Sequence, residues 1–304
     1  MAPKRLRRQK GQVQQTHSIG PHESAPWANV RFVLVAPSHV GNIGACARAI
    51  RSMGFTRLHL VQPREAQFRV APQALALAAA ARDVLEQALV FDSLPEALRD
   101  VQLALATSGY ARQFGPQPLE IRQAAHAAAQ TVHRDGAHVA FVFGPERTGL
   151  SNVDVQRCHL CCNIPSDPQK GSLNLAQAVQ VVAYEVRREL LVRLQQSAQT
   201  PPRRGLSVAQ SAPQEPAASI EQTEAMFTHL EQALAAIGYL DPSQPKHLLA
   251  RLRQLLLRAR PTATEVDILR GIAGAMILPR RLRAGSKSAS RSRPSDQAPP
   301  GAPD

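Results

Sequence analysis

Apolar residues follow two different rhythms along this chain. In the first two-thirds they come as short, nearly unbroken runs: Val30–Ala36, Leu58–Val61, Val101–Thr107, Val139–Phe143 and Leu160–Ile164. Runs of that length, bounded by Gly, Pro and Ser, predict strands buried on both faces. Helical stretches separate them. Ala45–Met53 reads as a helix closed by Gly54 at the C′ position, after a loop from Pro37 to Gly44. Ala74–Leu89 reads as a second helix, Ser93–Asp100 opens another, and Leu173–Leu194 is a long one. Strands alternating with helices predict an α/β domain: a parallel sheet with helices on both faces.

Beyond residue 195 the strand rhythm disappears. Residues 196–218 are rich in Pro, Ser, Gln and Ala and read as a linker. Residues 219–279 then show helical periodicity with clear punctuation. Ser219 and Gln222 form a capping box, and Met226, Phe227, Leu230, Leu234 and Ile237 make an apolar face that Gly238 closes. A helix over roughly 245–259 aligns Leu248, Leu249, Leu252, Leu255, Leu256 and Ala259, flanked by Arg251, Arg253, Arg258 and Arg260. Those arginines read equally as snorkelling flanks and as a phosphate-binding ridge. Thr262 and Glu265 cap a third helix carrying Val266, Leu269 and Ile272. The expected organisation is therefore a disordered basic tail over 1–27, an α/β domain over 28–195, a linker over 196–218, a small all-α domain over 219–279 and a second basic tail over 280–304.

Composition changes this picture little. Hydrophobic residues are 44% and aromatics only 4%, so Ala, Leu and Val must fill the core. The net charge of +13 suggests a polyanionic partner. Much of it lies at the ends, however: residues 1–10 carry five basic and no acidic side chains. No run approaches a membrane span, and the basic start lacks the apolar core of a signal peptide, so a cytoplasmic protein with no membrane partner is expected. The cluster Cys158, Cys161 and Cys162, with His159, lacks the second knuckle of a structural zinc site. Its segment RCHLCCNIP reads instead as a buried strand, and no metal is expected.

Candidate chemistry lies in three separated segments: Ser38–Phe55 (SHVGNIGACARAIRSMGF), Phe141–Ser151 (FVFGPERTGLS) and Ile164–Val186 (IPSDPQKGSLNLAQAVQVVAYEV). Each is a strand end with a Gly- or Ser-rich loop, the kind that presents backbone N–H groups to a polar ligand. Neither G-x-G-x-x-G nor G-x-x-x-x-G-K-[ST] occurs, which argues against a nicotinamide or flavin site and against a P-loop. In an open α/β sheet the ligand sits at the strands' carboxyl ends, here Thr107–Gly109, Gly144–Gly149 and Ile164–Asn174.

In this order and spacing the three segments resemble the RNA 2′-O-methyltransferases of the SpoU branch of the SPOUT superfamily. The C-terminal helices are similar to those of the TrmJ-type tRNA (cytidine/uridine-2′-O)-methyltransferases. The resemblance implies a trefoil knot in the second half of the α/β domain and S-adenosylmethionine as cofactor. The cofactor would lie on Thr107, Ser108, Gly109, Gly144, Ile164, Ser172, Leu173 and Asn174. It implies a homodimer acting on the anticodon stem-loop of tRNA, at cytidine or uridine 32; ribosomal RNA, another tRNA position and a non-catalytic RNA-binding scaffold are the alternatives. Arg48 matches an arginine thought to bind phosphate and assist deprotonation of the ribose hydroxyl, either as a perturbed base or by stabilising the alkoxide. Asn42 either orders its loop or touches the ribose. Glu146 reads as a structural or orienting carboxylate, and Asn174 as a helix cap or a group reaching the site.

Overall fold

The structure, a computed structural model, describes residues 26–109, 115–116, 118–167, 173–199 and 215–278. Residues 1–25 of the first expected tail, the second tail, most of the linker, and Ser172 lie outside the described residues, whereas Pro26 and Trp27, expected in the tail, begin a short 3-10 helix with Trp27 packed on the core.

Seven strands form one sheet: β1 (Val30–Val35), β2 (Arg57–Val61), β3 (Leu89–Phe91), β4 (Leu103–Thr107), β5 (Pro118–Glu120), β6 (Val139–Phe143) and β7 (Leu160–Asn163). Their order is β3-β2-β1-β6-β4-β7-β5, and every pairing is parallel. Side chains alternate between faces, so each strand feeds two cores. Phe32, Leu34, Leu58, Leu105 and Phe141 enter the larger core. There they meet α1 (Val40–Ser52), α2 (Pro72–Ala78), α3 (Arg82–Glu86), α5 (Ile121–Asp135) and α7 (Leu175–Gln199). Val33, Ala104, Ala106, Ala140 and Val142 enter the other, with α4 (Leu94–Ala97), α6 (Asn152–Gln156) and Ile220.

The differences from expectation have physical causes. The first helix starts at Val40, within the predicted loop, because its glycines serve packing rather than turning. A Cβ on Gly44 would lie 2.1 Å from the Ala74 carbonyl oxygen, so Gly44 lets α1 and α2 touch backbone to backbone. The expected helix over 74–89 is broken at Ala79 (φ 51°), and its end becomes the edge strand β3. An Ala-rich sequence favours helix locally, but the parallel ladder with β2 claims Leu89–Phe91. Strand β5 and helices α5 and α6 were not predicted. Helix α5 is alanine-rich with a short apolar stripe, and β5 and α6 span only 3 and 5 residues.

The cysteine segment is the expected buried strand: Cys158, Cys161 and Cys162 are all buried. Burial pushes the Cys162 thiol up to about 12. His159 is buried too, and its Nδ1 accepts the Ala104 N–H at 3.1 Å.

The C-terminal helices are α8 (Ile220–Ala236), α9 (Leu248–Ala259) and α10 (Ala263–Ile277). Both predicted capping boxes are present, at Ser219 with Gln222 and at Thr262 with Glu265. Met226, Phe227, Leu257 and Val266 form their core, so Leu257 replaces the predicted stripe as the buried residue of α9; Leu255 and Ile237 are exposed. Arg253 and Arg260, of the flanking arginines, pack back onto the protein. Arg253 pairs with Glu224 over the Phe227 ring, and the half-buried Arg260 donates to Thr131 Oγ1 at 3.4 Å. The linker is shorter than expected: α7 runs to Gln199, and Ala217 bridges Thr262. The small unit is docked. Ile220 is buried in the second core, its N–H donates to Val101 O, and Glu221 N–H donates to Arg99 O.

Candidate active site

The sheet order places the motif loops side by side. Strands β1, β6, β4 and β7 are consecutive neighbours, so the loops after them share one edge although they are distant in sequence. Loops at the carboxyl ends of a parallel sheet are where ligands bind.

Glu146, in the loop after β6, is the hub. Its Oε2 accepts Ser38 N–H at 2.9 Å and Ser38 Oγ–H at 2.5 Å. Its Oε1 accepts the Asn42 side-chain amide at 2.7 Å and His39 N–H at 3.3 Å. Burial alone would raise this carboxyl, but the hydrogen bonds from Asn42 and Ser38 outweigh it and hold Glu146 at about 2. A carboxylate that is ionised and filled by four donors is a poor proton acceptor. In this geometry Glu146 ties together the loop after β1 and the start of α1.

Asn174 closes the cluster from the third segment. Its Nδ2 donates to Asn42 Oδ1 at 3.2 Å, while its Oδ1 accepts Ala176 N–H at 2.9 Å at the head of α7. It thus caps the helix and reaches the site, two roles the sequence left as alternatives. Asn42 uses both ends of its amide to bridge Glu146 and Asn174. Arg48 is not in this cluster. It stands exposed on α1, and its guanidinium has no hydrogen bond or ion pair among the described residues.

The cofactor residues occupy the adjoining edge. Ser108 N–H donates to Cys162 O at 2.9 Å, so the ends of β4 and β7 are stitched together. Thr107 Oγ1 lies 3.7 Å from Cys162 Sγ. Ile164 packs on the larger core, and Leu173 is exposed. At Gly109 an added Cβ would meet no atom of the described residues within 4 Å. At Gly144 the space its missing Cβ leaves is filled by the chain itself, with Gly149 C and Leu150 N only 2.2 Å from where a Cβ would stand. Its role is to let the GPERTGL loop fold back on β6. Sequence reasoning missed Ser38 as a site residue; the signal was a hydroxyl immediately after Pro37 at a strand end.

A family model described as the SpoU rRNA methylase family matches residues 29–184, and one described as the TrmJ C-terminal domain matches residues 221–289. The chain belongs to the SpoU methylase family. It is a methyltransferase, and enzymes of this family use S-adenosylmethionine. A relative from Pectobacterium atrosepticum, named tRNA (cytidine/uridine-2′-O-)-methyltransferase TrmJ, is 42% identical over 245 residues, covering 80% of this chain and 95% of that protein. The crystal structure of TrmJ from Z. mobilis ZM4 is 34% identical, with a TM-score of 0.66, covering 81% of this chain and 98% of that one. A probable methyltransferase from Bordetella pertussis Tohama I is 48% identical with a TM-score of 0.52, covering 54% of this chain and 98% of that one. The SpoU match takes in every residue of the Glu146 cluster, and the seven-stranded parallel sheet is the family's methyltransferase fold.

Proposed function

We propose that this chain methylates the ribose 2′ hydroxyl of cytidine or uridine at position 32 of the tRNA anticodon loop, acting in the cytoplasm as a homodimer. The observation that carries the reading is the convergence of Ser38, Asn42, Glu146 and Asn174 from three loops into one hydrogen-bonded cluster. The names of the relatives and the match to a TrmJ C-terminal domain support tRNA as the substrate. The adjoining ends of β4, β6 and β7, with Gly109 just beyond β4, support a cofactor site there. In this reading Thr107, Ser108, Gly109, Gly144, Ile164, Ser172, Leu173 and Asn174 hold it, and when bound it supplies an electrophilic methyl group.

The protein's own part is to orient the ribose and to manage the proton that leaves its hydroxyl. Glu146 fixes Asn42 and the Ser38 turn, and Asn42 with Asn174 sets the edge against which the ribose lies. Glu146 is too acidic to take the proton, and a guanidinium is already protonated. Arg48 therefore serves as a phosphate and alkoxide stabiliser while the proton passes to water. The trefoil knot belongs to the same reading, and the order β4-β7-β5, with the later β7 between two earlier strands, supports it. Tyr184 and Leu191, exposed and seven residues apart on α7, supply an apolar face for a second subunit.

The test is mass spectrometry of nucleosides from unmodified tRNA incubated with the protein and S-adenosylmethionine. New 2′-O-methylcytidine or 2′-O-methyluridine is expected, falling at least about 100-fold with Arg48→Ala while cofactor binding is retained. No methylated ribose on tRNA, with the cofactor bound, overturns the assignment and points to ribosomal RNA.

A further inference from the structure

Beside the Glu146 cluster lies a cavity of about 350 Å³, lined by Ala36, Ser38, Arg64, Pro145, Arg147 and Thr148. Its walls come from the loops after β1, β2 and β6. The first two of these loops are tied to each other. Strands β1 and β2 both end on a residue with positive φ, Ala36 at 45° and Gln62 at 46°. Ala36 N–H donates to Val61 O at 2.7 Å, and Arg64 N–H donates to Pro37 O at 3.3 Å. The paired kinks bring Arg64 to the same opening as Ser38, whose hydroxyl is held by Glu146.

The chemistry of this lining is narrow. Ala36 and Pro145 give an apolar floor. The Ser38 hydroxyl is committed to Glu146, and the Thr148 hydroxyl points to Gly149 O at 3.4 Å. What remains is two exposed guanidinium groups with no hydrogen bond or ion pair among the described residues. Other arginines of the α/β domain are engaged: Arg51 with Asp83, Arg69 with the Glu86 and Ala88 carbonyls, Arg187 with Met53 O. Nearby carboxylates do not compete for Arg64 and Arg147, since Glu146 is filled and Glu65 accepts Gln67 N–H. Two unengaged forked cations over an apolar floor suit a phosphodiester, which accepts bidentate donors without requiring a base-edge reader. The volume sits at the lower end of small-ligand pockets, about 300–1,000 Å³, which is room for one nucleotide.

We infer that Arg64 and Arg147 form an RNA phosphate subsite that holds the backbone flanking the target ribose and so positions that ribose at the Asn42–Glu146–Asn174 edge. The inference rests on the proposed function for its substrate, but its test does not. Binding of a single-stranded oligoribonucleotide is measured by fluorescence anisotropy over a range of salt for the wild type, Arg64→Ala, Arg147→Ala, the double variant and the double lysine variant. Affinity is expected to fall about 5- to 10-fold for each alanine, with the slope of log K against log salt shallower by about 0.7 per arginine. The lysine variant restores the slope. In the methylation assay the KM for tRNA rises while the KM for S-adenosylmethionine stays unchanged. Unaltered affinity and salt slope in the double alanine variant, with an unchanged melting temperature, overturn the subsite. A wild type that binds RNA with the expected arginine dependence but does not methylate tRNA overturns the proposed function and leaves the subsite standing.

Discussion

Glu146 shows how much can depend on one carboxylate. Four donors from the loop after β1 and the first turn of α1 point at it, so the shape of that segment follows from its charge. Replacing it by Gln keeps the size but puts an amide NH₂ where one oxygen accepted donors. The Glu146→Gln variant should lose about 100-fold in kcat, because a displacement of about 1 Å at the ribose edge is enough for that. Its cofactor affinity, measured by calorimetry, should stay within about twofold, since none of these bonds reaches β4 or β7. The pH-rate profile supplies a second check. With a folded value of about 2, the carboxylate is ionised throughout the working range, and its contribution is lost only as pH falls from the ordinary 4.5 through 2. The wild type should therefore show no acid limb near pH 4 to 5 that Glu146→Gln abolishes; such a limb would mean that Glu146 works as a base.

At the scale of elements, the loops of this site are built by close backbone contacts. Gly144→Ala puts a methyl group 2.2 Å from the Gly149 and Leu150 backbone, so the GPERTGL loop must move. A cost of about 1–3 kcal/mol is expected from such overpacking, read as a lower melting temperature, together with weakened activity because Glu146 rides on the same loop. An unchanged melting temperature would show that the loop has slack there. How far such features can be read from sequence differs by element. The strands β1, β4, β6 and β7 are almost wholly apolar, with Arg31, Thr107 and Asn163 as the exceptions, so their rhythm is visible locally. Strand β3 is not, because Leu89–Phe91 follows an Ala-rich helical stretch and is a strand only through its pairing with β2. The start of α1 was hidden for a related reason: Gly41 and Gly44 look like loop residues until α2 is packed against them.

At the scale of the whole molecule, two observations tie the parts together. Ile220 opens the C-terminal helices yet is buried in the core beneath the sheet. Ile220→Ala should cost about 2–5 kcal/mol and, with the docking weakened, should split urea unfolding into two transitions where the wild type shows one. A single wild-type-like transition would mean that the two units fold independently of this contact. The second observation concerns pH. His59 and His159 are both buried and held neutral, at about 4 each, first by burial and then by the charges of Arg31 and Arg260 respectively. The unfolded chain protonates them near 6.5, so their effect is absent above that value and stability is lost as pH falls from about 6.5 towards 4. The slope is at most about 1.4 kcal/mol per pH unit for each histidine. His159→Gln should remove about half of that pH dependence in denaturant titrations at pH 7, 6 and 5; an unchanged slope would show that His159 is accessible to protons.

The sequence by itself determined the class of the fold, the strands of its centre, the capped C-terminal helices and the three segments that carry the chemistry. These are properties of short windows, where apolar runs, capping side chains and loop residues act over a few neighbours. Only the tertiary structure decided that Asn42, Glu146 and Asn174 meet, that Gly144 lets its own loop fold back on the strand, and that Arg48 stands outside the cluster. The reason is the strand order. A parallel sheet arranged β1-β6-β4-β7 makes neighbours of loops more than 100 residues apart, and no local pattern records which strand lies next to which.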